Sequence, residues 1–179
     1  GKQQSGHIAA VGIDLYTQMM EEAMAGLKGE EPAVEPDTQI NLRASAFIPE
    51  SYIGDTSLRL AAYKEISSAG DETELSQIAA DLRDRYGPLP EPAENLLTIM
   101  GVKIIAKHAM VSRIDGAART VTITFSEDAR ISPDKTLSLL KRNQGRIKLI
   151  AEFTLQLSIA DETLQTASET VRKCLQELG

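Results

Sequence analysis

The sequence predicts an α+β fold: N-terminal helices, then a small, mainly antiparallel sheet packed with helices, and a C-terminal helix. Three observations point there. Apolar residues recur at three- and four-residue steps through most of the chain up to about residue 110. The last third switches to a two-residue period in short runs, which suits neighbouring antiparallel strands with one apolar face. The final stretch returns to helical spacing. Helices that come first and strands that cluster late argue against a parallel βαβ wind.

In order, Ile13, Tyr16, Met20, Met24 and Leu27 mark a first helix, with Asp14 in its opening turn and Gly29 as its stop. Glu30 to Pro36 reads EEPAVEP, a linker by composition. The domain boundary is therefore placed there, with an appendage over 1–30 and a domain over 31–179. Residues 38–44 alternate, with Ile40 and Leu42 on one face, as a half-buried strand does. Asp55 suits the cap of a helix with the stripe Leu58, Ala62, Ile66, and Gly70 ends it. Asp71 or Thr73 caps a second helix with Leu75, Ile78 and Leu82 inward, and Gly87-Pro88-Leu89-Pro90 breaks it.

Residues 94–110 are apolar nearly all round, the pattern of a helix buried mid-domain. Strands follow over 120–125 (TVTITF), around Ile147 and Leu149, and over 153–159 with Phe153, Leu155, Leu157 and Ile159 on one side. Between the first two, Ser132-Pro133 opens a short helix that leaves through Asn143-Gln144-Gly145. The last helix begins near Glu162, with Leu164, Ala167, Val171, Cys174 or Leu175, and Leu178 toward the core.

The 179 residues carry a net charge of -7, 42% apolar residues, 4% aromatics and no Trp. Nucleic-acid affinity draws on cationic side chains and stacking rings, so this balance disfavours a free-standing nucleic-acid-binding domain, the alternative reading. One cysteine excludes an internal disulfide and fits a reducing, cytoplasmic setting. No apolar run reaches membrane-spanning length, and the first residues lack the apolar segment of a signal peptide.

No catalytic set assembles. His7 and His108 have no metal-ligand spacing around them. Cys174 sits on a core stripe, where a thiol is inert. The stretch GHIAAVG over 6–12 lacks the Lys-Ser/Thr of a phosphate loop. The notable cluster is acidic: seven carboxylates against two bases between Asp71 and Glu94. Asp81 and Asp84 share a helical face. With Gln77 they form a polar ridge, and Arg85 lies one turn past Asp81. Such a ridge reads as a solvated face or as a dock for basic side chains on another domain.

The segments IPESYIGD (48–55), RLAAYKEISSA (59–69) and DLRDRYGPLPEPAENLL (81–97), in this order, resemble the C-terminal domain of bacterial transcription-repair coupling factors. GHIAAVGIDLYTQMMEEA (6–23) is similar to the tail of the motor region that precedes that domain. The resemblance implies a parent protein that is an ATP-driven double-stranded DNA translocase, displacing stalled RNA polymerase and recruiting the excision-repair protein UvrA. It implies a non-catalytic, autoinhibitory domain here, docked on the UvrB-like domain of the same protein, masking the UvrA surface and restraining the motor. ATP and Mg²⁺ then belong to the parent motor, with no cofactor or metal in this fragment. Asp81, Asp84, Gln77 and Arg85 become the candidate docking residues. Position 81 carries Asp where the family pattern has Glu, a shorter arm.

Overall fold

The computed structural model describes residues 37–179. The expected helix near the start, the 1–30 boundary, His7 and the glycine-flanked stretch over 6–12 lie outside the described residues. Two compact units divide the rest: Ala44–Gly101, and residues 37–43 together with Val102–Gly179.

The first unit holds helices α1 (Thr56–Ser68) and α2 (Glu72–Tyr86) and the opening turns of α3 (Glu91–His108). The caps are those the sequence points to. The Asp55 carboxylate accepts the Leu58 N–H at 2.9 Å, and Asp71 accepts that of Glu74 at 2.8 Å. Glu74 reaches back to accept the Gly70 N–H at 2.7 Å, a reciprocal arrangement that joins the two helix ends. α1 turns differently from its expected stripe. Ala62 and Ile66 are buried, but Leu58 is 51% exposed, and half-buried Tyr63 supplies the inner face. Its hydroxyl accepts the Ile48 N–H at 2.7 Å, so a polar anchor sets the rotation. In α2 the core positions are Leu75, Ala79 and Leu82, while Ile78 is half-buried.

Helix α2 stops at Gly87, where φ is 87° and ψ is -169°. Side-chain-bearing residues essentially never adopt that region. The Gly87 N–H donates to the Arg83 carbonyl at 2.9 Å and closes the last turn. Helix α3 starts at Glu91, three residues earlier than the apolar run suggests, because Pro90 accepts from both the Ala93 and Glu94 N–H groups. From Ile99 to Ala106 it is almost wholly buried, as expected. Met110, expected inside this helix, instead ends it at φ 57° and is exposed.

The second unit is a five-stranded sheet with β1 (Gln39–Asn41), β2 (Val111–Gly116), β3 (Thr120–Phe125), β4 (Ile147–Ala151) and β5 (Thr154–Ser158), ordered β1-β2-β3-β5-β4. Three pairings are antiparallel, but β1 pairs β2 in parallel, Ile40 opposite Ile114. Helices α4 (Pro133–Arg142) and α5 (Leu164–Leu178) complete the unit. Ser132 caps α4 with Pro133 in its first turn, and Thr163 caps α5. Ile114, Val121, Ile123, Leu139, Leu157 and Val171 form a core with no solvent exposure.

Strand β2 has no counterpart in the sequence reading. A register shift between Val111 and Arg113 bulges it, and its burial runs inward at 111 and 114 instead of alternating. β4 is an edge strand: Leu149, expected to face the core, is 55% exposed, with Ile150 beside it at 51%. Phe153 stands in the β4–β5 turn at φ 60°, not on the apolar face of the strand.

A methyl group at Gly87 would meet nothing within 4 Å, so its cost is purely conformational. We expect Gly87→Ala to destabilise the chain by about 1–3 kcal/mol, read as a lower urea midpoint at unchanged slope.

Candidate docking face on helix α2

With Leu75, Ala79 and Leu82 turned inward, α2 presents Gln77, Asp81, Asp84 and Arg85 to solvent. The ridge expected from the sequence is thus a surface of the molecule. Asp81 and Arg85 pair across one helical turn, Oδ2 to Nη2 3.2 Å, with both side chains more than half exposed. Such a pair contributes little to stability and is easily exchanged for another partner. Asp84 makes no ion pair with any described residue.

The fold adds residues the sequence reading did not connect to this face. The end of α1 and the start of α2 enclose a shallow groove of about 470 Å³. Glu65, Ser68 and Ala69 form one side, and Glu74, Gln77, Ile78 and Asp81 the other. Three carboxylates and no base line it, over the half-buried side chain of Ile78. A Lys or Arg entering from outside would rest its alkyl stem on Ile78 and bring its charge among the carboxylates. Glu65 and Glu74 could have been found from the short turn at Ala69–Gly70, which folds two helices back on one another. Asp84 and Arg85 lie beyond this groove, further along α2.

Tyr52 holds the far end of the helix. Its hydroxyl lies 2.9 Å from the Leu82 carbonyl, in the last turns of the helix, and 2.8 Å from the Gly87 carbonyl, an acceptor past the helix end that has no intrahelical donor. Its ring meets Tyr86 edge-on at 5.8 Å. Burial raises the Tyr52 pKa, and the Arg83 charge offsets part of that.

Elsewhere the polar groups are quieter. His108 is exposed at the end of α3. Lys103, buried on α3, reaches Asp37 at 3.0 Å, and Lys107 reaches the same carboxylate at 3.4 Å. Cys174 is 2% exposed, and burial, reinforced by the charge of Glu177, pushes its thiol up to about 12. Among the described residues no three of His, Cys, Asp and Glu gather to hold a metal ion, and no helix is long and apolar enough to cross a membrane.

These features define an α+β module whose most developed surface is a charged helical face. A family description, the TRCF domain, matches residues 42–136, more than half of the chain, and the chain belongs to that family. It is 37% identical over 147 residues to the transcription-repair-coupling factor of Haemophilus influenzae, covering 79% of this chain and 13% of that protein. With the factor of Escherichia coli strain K12 it shares 32% identity over 183 residues, 99% of this chain and 16% of that protein. The chain therefore spans only about one seventh of these relatives' length. A crystal structure of the C-terminal domain of a transcription-repair coupling factor has the same fold, with a TM-score of 0.66 at 20% identity over 79% of this chain and 93% of the other.

Two outcomes follow from these contacts. Tyr52→Phe removes a hydroxyl that donates to the end of α2, and should cost about 1 kcal/mol in chemical denaturation. For Cys174 the folded pKa lies above the ordinary 9.0, so its contribution is fully present below pH 9.0 and is lost as pH rises toward about 12. Stability measured over that window should fall less steeply in Cys174→Ala than in the parent chain.

Proposed function

We propose that this domain is a non-catalytic, autoinhibitory interaction module of a transcription-repair coupling factor. Its α2 face docks on a basic surface of the UvrB-like domain of the same protein. In that position it masks the surface that recruits UvrA and restrains an ATP-driven DNA translocase. ATP and Mg²⁺ serve the parent's motor, and DNA, RNA polymerase and UvrA are partners of the parent, acting in the cytoplasm. The observation that carries this reading is the outward placement of Asp81 and Asp84, with Asp84 unpaired among the described residues and Asp81 held only by an exposed pair.

Magnitudes favour such a contact as a reversible lock. A hydrogen bond to a charged group contributes about 1.5–3 kcal/mol, so two or three of them hold a closed state that a competing partner can still open. Large apolar burial would close the module for good. Gln77, at the groove, adds a neutral donor and acceptor beside the carboxylates. Arg85 balances Asp81 while the face is free and must turn aside when an incoming cation takes the carboxylate.

In the full-length protein, Asp81→Lys with Asp84→Lys should raise both UvrA capture and basal ATP hydrolysis. Both side chains are exposed, so the domain should keep its fold and stability. Unchanged UvrA capture and unchanged hydrolysis in a folded double variant would overturn the assignment.

A further inference from the structure

The second unit carries a cleft that the docking face does not use. It opens between α4, α5 and the sheet, with a volume of about 490 Å³, within the range of small-ligand and side-chain pockets. Its floor is Leu139, Leu157, Ile159 and Cys174, all buried. Its rim carries two exposed cations, Arg146 at the entry to β4 and Lys173 on α5. Neither makes an ion pair with another described residue.

Two neutral groups of the rim are already engaged. Asn143 donates its side-chain amide to the Leu139 carbonyl at 3.0 Å, and Thr170 donates to the Thr166 carbonyl at 2.7 Å. The Ser158 N–H donates to the Arg146 carbonyl at 2.7 Å, which anchors the backbone that bears one of the cations. Glu177 also lines the cleft, and its Oε2 is buried with no donor. An arriving N–H would meet an unused acceptor there after a small rotation of that side chain. On a chain of net charge -7, two cations with no ion pair among the described residues, against the single carboxylate of Glu177, make a local site of opposite sign to the whole. An acidic ligand is repelled by most of this surface and accepted at this cleft.

We propose that the cleft binds a peptide segment of a partner protein in which an apolar side chain is flanked by carboxylates. The apolar side chain enters over Leu157 and Cys174, the carboxylates meet Arg146 and Lys173, and a peptide N–H satisfies Glu177. This contact is independent of the α2 face and goes beyond the autoinhibitory reading.

The test titrates the ¹⁵N-labelled chain with acetyl-Asp-Leu-Phe-Glu-amide and, separately, acetyl-Lys-Leu-Phe-Lys-amide, following amide shifts. The acidic peptide should shift the signals of Leu139, Leu157, Ser158 and Cys174 saturably, and more weakly at high salt. Arg146→Glu with Lys173→Glu should weaken that binding at least tenfold. Because both side chains are exposed, the same spectra report that the variant is folded. Absence of shifts at millimolar peptide, equal binding of the basic peptide, or undiminished affinity in the double variant each overturns the proposal.

Discussion

The parallel pairing of β1 with β2 is the constraint on which the remaining structure depends. It joins residues about 74 positions apart, and the side chains repeat the tie: Thr38 donates to the Val111 carbonyl at 2.8 Å and Asn41 to Asp115 at 2.9 Å. Everything from Ala44 to Gly101 is thereby closed into a long excursion between two adjacent strands. Closing a loop of that length costs entropy that grows only slowly with length, and the ladder and the burial of Ile40, Leu42 and Ile114 offset it. Asp37, just before β1, adds its carboxylate to Lys103, so a buried ammonium on α3 is not left without a counter-charge.

Within that excursion the energetics are divided by depth. Inward positions of α1 and α2 stabilise the unit by apolar burial, and the helix ends are satisfied by Asp55, Asp71, Glu74 and Tyr52. The outward carboxylates of α2 contribute almost nothing to folding, since exposed charges are well solvated and their pairs are weak. That separation matters for a regulatory contact. Charges that do not hold the domain together are available to hold it to something else, and breaking that second contact leaves the fold untouched. The two units also differ in sign where they are grooved: carboxylates line the cleft beside α2, and cations with no ion pair among the described residues rim the one beside α5. A chain with one overall charge thus displays two local preferences, which composition averages away.

Local chemistry was legible wherever a single residue type answers a backbone need. Asp55, Asp71 and Ser132 cap the helices they precede because each offers an oxygen to an N–H that has no other partner. Gly87 ends α2 because few other residues accept its dihedral angles. The alternation of residues 120–125 translates directly into a central strand with Val121, Ile123 and Phe125 buried. Misreadings occurred where a distant neighbour decides. Leu58 is outside because Tyr63, tied to Ile48, sets the rotation of α1. Leu149 is exposed because β4 lies at a sheet edge, a position that no pattern within five residues reveals.

By itself the sequence determined the helices of the described residues, three of the four strands after residue 110 and their adjacency in space, the acidic ridge at 77–85, and the family to which the chain belongs. These rest on short-range rules: periodicity, capping and residue order along one helix. Only the tertiary structure decided that β1 crosses back to pair in parallel with a bulged β2, that Glu65 joins Glu74 and Asp81 around one groove, and that Arg146 and Lys173 face a common cleft. Each of these brings together groups from different elements, and their approach depends on how helices and strands pack, which no local pattern encodes.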